Sequence, residues 1–205
     1  MKLYLTPGTC SMASNIALHE AGIPFELVKV DKRTKRAEGV DFLTINPKGY
    51  VPALRLDDGE MLTENVAVLQ YIADLNPAAK LAPPAGTIER YRLMEWLSFI
   101  NSEVHKSFSP LFSSEATDDM KSYARNYLAK RLAYVERALG DKKYLFGDQF
   151  TVADAYLFTV LGWGVHVGVD IGPRLKTYTE GVRARPKVVE AMTAEGMIRT
   201  HAAHS

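Results

Sequence analysis

The sequence predicts an α/β domain followed by an all-α domain. Three observations carry that prediction. Strand-like and helix-like patterns alternate through the first part of the chain, a proline-dense segment follows at 76–86, and from Thr87 onward the apolar spacing is helical throughout. The expected division is residues 1–78, a linker at 79–86, and a helical domain at 87–205.

Each element has a local reason. Residues 3–5 read as a buried strand, and 11–21 as a helix stopped by Gly22 and Pro24. Residues 25–30, apolar and β-branched, read as a second strand, so the opening is a βαβ unit with parallel pairing. Pro52 opens a short strand at 53–56, where a missing N–H is tolerable, and Asp57-Asp58-Gly59 turns the chain into another at 60–62. A helix follows at 64–75. The later helices are expected at 87–112, 117–139, 151–166 and 174–194. Thr151 with Asp154 forms a capping box at the start of the third of these.

Composition narrows the class. With 205 residues at 47% apolar content the chain can bury a sizeable core. The balance of 25 basic against 24 acidic residues gives a net charge of +1, so no global field recruits nucleic acid or an anionic membrane. No apolar run is long enough to span a bilayer, and the opening residues are too soon broken by Pro7 and Gly8 for a signal peptide. The single cysteine, Cys10, excludes an internal disulfide framework and fits a reducing compartment, so a cytoplasmic location is expected.

Residues 46–65 are the most informative segment. The proline at 52 leaves Val51 with backbone groups that need not pair within the sheet, and an extended peptide could take them as an added strand. Thr63-Glu64-Asn65 then opens a helix whose free N–H groups favour a carboxylate, while Glu64 suits an ammonium. Together these describe a site for a small zwitterionic peptide. Cys10 sits where the first strand hands over to the first helix, and the positive end of that helix favours thiolate. A lone cysteine can equally be an inert apolar side chain; without a second cysteine, redox chemistry here needs an external thiol. In the helical half, Ser98, Ser102, His105 and Ser109 fall at i, i+4, i+7 and i+11 and so share one face of an ideal α-helix. Such a stripe reads either as a wet cleft wall or as the setting of a structural histidine.

These residues converge on a family. Cys10-Ser11, Asn46-Pro47-Lys48-Gly49 leading to Val51-Pro52-Ala53-Leu54, and Leu62-Thr63-Glu64 resemble the N-terminal domain of glutathione transferases. The resemblance is to the bacterial beta class in particular, in which cysteine stands where other classes carry tyrosine or serine. Residues 102–106 resemble that class's second glutathione-contacting segment, and 150–155 the family's buried capping motif.

The resemblance implies a thioredoxin-like N-terminal domain, a helical C-terminal domain carrying the electrophile site, a homodimer, and a cis bond before Pro52. It implies that Val51 pairs with the cysteinyl unit of glutathione, that Glu64 and Asn65 hold the γ-glutamyl end, and that Lys35 meets the glycyl carboxylate. Cys10, Ser11 and His105 are the implied catalytic residues, with Ser98, Ser102, Glu103, Val104, His105 and Lys106 as the helical domain's glutathione contacts. Asn65 departs from the serine or glycine of many relatives, and Ser98 from an asparagine that reaches the neighbouring subunit's ligand. Trp163 is expected either in the core or lining the electrophile pocket. Glutathione is the expected co-substrate, a small apolar electrophile its partner, with no permanent cofactor and no metal. The implied activity is conjugation of reduced glutathione to soft electrophiles. Two rivals are glutathione-dependent thiol-disulfide exchange or peroxide reduction through Cys10, and a non-enzymatic ligand carrier. The basic run Lys29, Lys32, Arg33, Lys35 and Arg36 reads as solvated surface apart from Lys35. His201 and His204 lack a carboxylate or cysteine beside them and read as tail rather than metal ligands.

Overall fold

The computed structural model describes residues 1–198, so His201 and His204 lie outside the described residues. The chain divides into two compact units, one formed by 1–79 together with the residues from Arg183 on, the other by 80–182. The sequence-based division placed everything after 86 in one helical domain; the compact units instead return the last helix to the first part of the chain.

The first unit has the thioredoxin-like order. Strand β1 (Lys2–Leu5) leads into helix α1 (Ser11–Ala21) and strand β2 (Glu26–Lys29). A small pair, β3 (Arg36–Ala37) and β4 (Val40–Asp41), follows. Strands β5 (Ala53–Arg55) and β6 (Met61–Thr63) then lead to helix α2 (Asn65–Leu75). The main sheet runs β2-β1-β5-β6, with β1 parallel to β2 and antiparallel to β5. The register pairs Leu3 with Leu27 and with Leu54, which puts matching apolar side chains across three strands. Leu3, Tyr4, Leu5 and Leu54 are fully buried. Helix α1 ends at Gly22 in the left-handed conformation, as the sequence indicates. The Val51–Pro52 bond is cis. The β3–β4 pair has no counterpart in the sequence reading, because two-residue strands carry no periodic signal.

The second unit is helical: α3 (Ile88–Phe99), α4 (Ser109–Phe112), α5 (Asp118–Leu139), α6 (Val152–Leu161), α7 (Gly164–Val167) and α8 (Pro173–Arg183). Thr87 and Thr117 cap α3 and α5 by accepting the Arg90 and Met120 amides. The expected helix at 174–194 is two helices, α8 and α9 (Pro186–Glu195). Pro186 has no N–H to continue a ladder and holds Arg185 extended, at φ −66°, ψ 132°. Likewise 151–166 stops at Leu161 and restarts at Gly164. The expected helix at 87–112 is interrupted by a π-helical stretch, Ile100–His105, and a 3₁₀ turn, Lys106–Phe108. That interruption changes the reading of the site. In the first unit, α1 packs against α2 and against α9.

Candidate active site

Cys10 is the residue before the first turn of α1 and is partly exposed. Its thiol donates to the Val51 carbonyl at 3.2 Å, so the cysteine and the backbone segment before the cis proline form one local structure. The Val51 carbonyl is therefore occupied by Cys10, where the sequence suggested two open backbone groups; among the described residues its N–H takes no backbone partner. The loop Asn46–Tyr50 is shaped by the buried Asn46. Its side chain accepts from the Lys48 amide and donates to the Tyr50 carbonyl, and Gly49 supplies the positive φ of 71° that the turn needs.

Ser11 and Asn65 take roles different from those expected. The Ser11 hydroxyl is fully buried, lies 2.8 Å from Thr9 Oγ1, and accepts the Thr6 amide at 3.3 Å. It is turned into the loop that precedes Cys10, and its geometry is that of a positioning residue. Asn65 is buried as well: Ser14 donates to its Oδ1 at 2.8 Å, and its Nδ2 donates to the Cys10 carbonyl at 3.1 Å. Its side chain thus ties α1 to α2 and carries the Cys10 backbone, leaving its main-chain N–H at the start of α2 for an anion. Glu64 has φ +68°, a conformation that costs a non-glycine residue on the order of 1–3 kcal/mol. Its exposed carboxylate receives Lys48 Nζ at 2.8 Å. Lys35 also has positive φ, 56°, held by main-chain bonds to Asp31 and from Phe42, and its side chain is exposed.

The loop before Cys10 has a partner that no local motif announces. Glu195, buried at 4% exposure on α9, accepts the Gly8 amide at 2.8 Å and Asn15 Nδ2 at 3.0 Å. Burial pushes its carboxyl up, against the hydrogen bonds from Gly8 and Asn15.

In the second unit the π-helix overturns the expected serine–histidine stripe. A π turn holds more residues than an α turn, so the i, i+4, i+7 rule fails across 100–105. Ser98, Ser102 and Ser109 are exposed, whereas His105 turns inward. Its Nδ1 lies 2.6 Å from the Tyr156 hydroxyl, and its ring packs edge-on to Trp163 at 4.9 Å between centroids. Burial, then the charge of Lys106, pushes its pKa down to about 4, so the imidazole is neutral at physiological pH. Trp163 also meets Phe108 at 5.6 Å and Phe112 at 5.8 Å, an aromatic cluster with Phe112 exposed. Of the other expected contacts, Val104 is fully buried and can offer a ligand no side chain. Glu103 is engaged by the Tyr127 hydroxyl and by Arg131 at 2.8 Å. Ser102 donates to the Ser98 carbonyl, and Lys106 is exposed. A separate cavity of about 310 Å³ is lined by Lys106, Ser107, Pro110, Tyr123, Ala124 and Tyr127.

Sequence reasoning missed Phe112, Glu195 and Tyr156, whose hydroxyl meets His105 and donates to Asn101 Oδ1 at 2.9 Å. Tyr156 and Phe112 sit inside expected helices among other aromatics, and only tertiary packing distinguishes them. Among the described residues no group of three or more His, Cys, Asp or Glu side chains could hold a metal ion, and no helix is long and apolar enough to cross a membrane.

The chain is similar to known proteins along most of its length. Residues 9–75 match the glutathione S-transferase N-terminal domain family, and 99–186 match the C-terminal domain family. The chain is 46% identical over 200 residues to the glutathione S-transferase GstA of Escherichia coli O157:H7, covering 96% of this chain and all of that protein. A sphingomonad glutathione S-transferase complexed with glutathione is similar at TM-score 0.92 and 48% identity, over 97% of this chain and 100% of that one. The bacterial beta-class glutathione S-transferase of Sphingomonas chungbukensis is similar at TM-score 0.92 and 50% identity, with the same coverage.

Proposed function

Because the chain belongs to the glutathione S-transferase family, we propose that it conjugates reduced glutathione to soft electrophiles, a detoxifying reaction. The observation that carries this reading is the arrangement around Val51. Among the described residues the Val51 N–H, just before a cis proline, takes no main-chain partner; the Cys10 thiol lies on the adjoining carbonyl, and Glu64 stands at the N-terminus of α2. The Val51 main chain would take the cysteinyl unit of glutathione. The N–H groups that open α2 would hold the γ-glutamyl carboxylate and Glu64 its ammonium, with Lys35 serving the glycyl carboxylate. Glutathione thiolate would be the nucleophile. Cys10 serves as a neighbouring hydrogen-bonding group, and Ser11 and Asn65 hold it in place. His105 is the polar group of an aromatic wall formed with Trp163, Phe108 and Phe112, a surface suited to a flat apolar electrophile. A homodimer is proposed on the family resemblance.

Turnover of a chlorinated nitroarene by the purified protein tests the reading. Conjugation should saturate in glutathione and should not be supported by mercaptoethanol, which lacks the zwitterionic end. Equal rates with both thiols, or reduction of mixed disulfides without conjugation, would overturn it.

A further inference from the structure

We propose that the cationic turn at residues 31–36 forms an electrostatic rim, in which Lys32 and Arg33 draw glutathione to the site by its net negative charge without touching it. The proposal deepens the glutathione site described above and rests on it. The turn places Lys32, Arg33, Lys35 and Arg36 within six residues, against one carboxylate, Asp31, on a chain whose net charge is only +1. All four cationic residues are exposed.

The fold puts that charge beside the site. Strands β1 and β2 are parallel, with Leu5 level with Lys29, so the loop leading to Cys10 and the turn at 31–36 leave the sheet at the same end. Hydrogen bonds join the two exits. The Val30 amide donates to the Leu5 carbonyl at 2.7 Å, and the Thr6 hydroxyl donates to the Val30 carbonyl at 3.1 Å. On its other side the turn is tied to Phe42, whose amide donates to the Lys35 carbonyl at 2.9 Å. Phe42 and Val30 belong to the buried cluster against which Val51 packs. The Cys10 loop, the turn and Val51 therefore stand around one core, inside the first unit.

The charge is fixed in place and left unneutralised. The Asp31 carboxylate accepts the Arg33 and Thr34 amides at 2.9 and 2.6 Å. The Asp31 amide donates to the Arg36 carbonyl and the Lys35 amide to the Asp31 carbonyl, both at 2.9 Å. Among the described residues Lys32, Arg33 and Lys35 enter no ion pair. Arg36 donates to the Gly39 carbonyl, which carries no charge to cancel its own. Neighbouring carboxylates are already engaged: Glu38 receives Lys2 Nζ at 2.7 Å and Glu64 receives Lys48 Nζ at 2.8 Å.

Glutathione at neutral pH has two carboxylates and one ammonium, so it is an anion. The field of an exposed charge reaches about 10 Å at 0.1 M salt and about 30 Å at 0.01 M, so Lys32 and Arg33 act on it from outside contact distance. Lys35 keeps the contact role proposed above. Lys32 and Arg33, which read as solvated surface in the sequence, thus help to select the co-substrate: an anionic thiol is recruited, and a thiol without net charge is not.

Calorimetry of glutathione binding at low and high salt tests the rim, using Lys32→Glu/Arg33→Glu and the milder Lys32→Gln/Arg33→Gln. At about 0.01 M salt the charge-reversed protein should bind glutathione about five-fold more weakly than the wild type, with the glutamine variant in between. At about 1 M salt, where the field reaches about 3 Å, all three should converge. Glutathione ethyl ester, whose masked glycyl carboxylate leaves no net charge, should bind the three proteins alike at either salt. Equal glutathione binding at low salt overturns the rim. So does a loss that persists at high salt, or an ester that loses as much as glutathione, since either means contact rather than field. A wild type that binds no glutathione at any salt overturns the glutathione site itself, and the rim with it.

Discussion

Glu195 and Gly8 are joined by a 2.8 Å hydrogen bond from the Gly8 amide to a buried carboxylate 187 residues away in sequence. The bond anchors the loop that delivers Cys10 to α1, and Asn15 shares the same carboxylate. Glu195→Ala removes the carboxylate from the Gly8 amide and from Asn15 Nδ2, which keeps the Ala191 carbonyl at 3.1 Å. The expected loss is about 1–3 kcal/mol of stability, the cost of removing one partner from a buried hydrogen-bonded pair. Urea unfolding measures it. Amide exchange at Gly8 and Thr9 should rise more than exchange in the β1–β5 pairing; unchanged exchange there would show that the loop holds without Glu195.

His105 should shape the pH dependence of stability. Its folded pKa, pushed down to about 4, lies below the ordinary histidine value of about 6.5. Between those values the unfolded chain holds the extra proton, so stability rises with pH through this window and is complete above it. The shift corresponds to a gain on the order of 3 kcal/mol. His19, also lowered by burial, adds to the same slope. Glu195 opposes it: its raised carboxyl favours the protonated folded state, and that contribution fades as pH rises through its folded value. Urea midpoints from pH 4 to 7 should rise in the wild type and more shallowly in His105→Gln. Equal slopes would contradict the assigned shift.

Asp154 is more than a helix cap. One carboxylate oxygen accepts the Leu145 amide and the Tyr178 hydroxyl, and the other accepts the Thr151 amide and hydroxyl, all between 2.9 and 3.0 Å. An ordinary cap contributes about 1 kcal/mol. Asp154→Ala strands several fully buried donors and should cost about 3–5 kcal/mol. A measured loss near 1 kcal/mol would mean that water replaces the carboxylate.

Lys48 holds the Glu64 carboxylate that the glutathione ammonium would use. The pair is exposed, so its worth is about 1 kcal/mol or less. Lys48→Met should tighten glutathione binding two- to five-fold, about the factor that such an energy allows. Calorimetry at low salt reads it; weaker binding would show that Lys48 serves the ligand instead.

Sequence and structure diverge in ways that local physics explains. Strand β1, helix α1, the Asp57–Gly59 turn and the Thr151–Asp154 cap follow from short-range chemistry, and each is where the sequence places it. So is the conjunction of Cys10, Val51 and Glu64 in one unit, since strand ends, a proline and a helix start are local signals. The π-helix at Ile100–His105 was not legible, because the serine–histidine spacing fits an α-helix equally well and only packing against Tyr156 and Trp163 selects the wider turn. Pro186 was a local signal overlooked within a long apolar pattern. Glu195 was beyond reach for another reason: one glutamate near the end of a helix looks like surface until α9 is packed on α1.

The most direct test of the account compares wild type with Cys10→Ala in glutathione conjugation to a chlorinated nitroarene, under reducing conditions. With glutathione sulfur as the nucleophile and Cys10 as its neighbour, the alanine variant should keep most of its kcat and still saturate in glutathione. Collapse of conjugation with glutathione binding intact would contradict this and put the Cys10 sulfur at the centre of the chemistry.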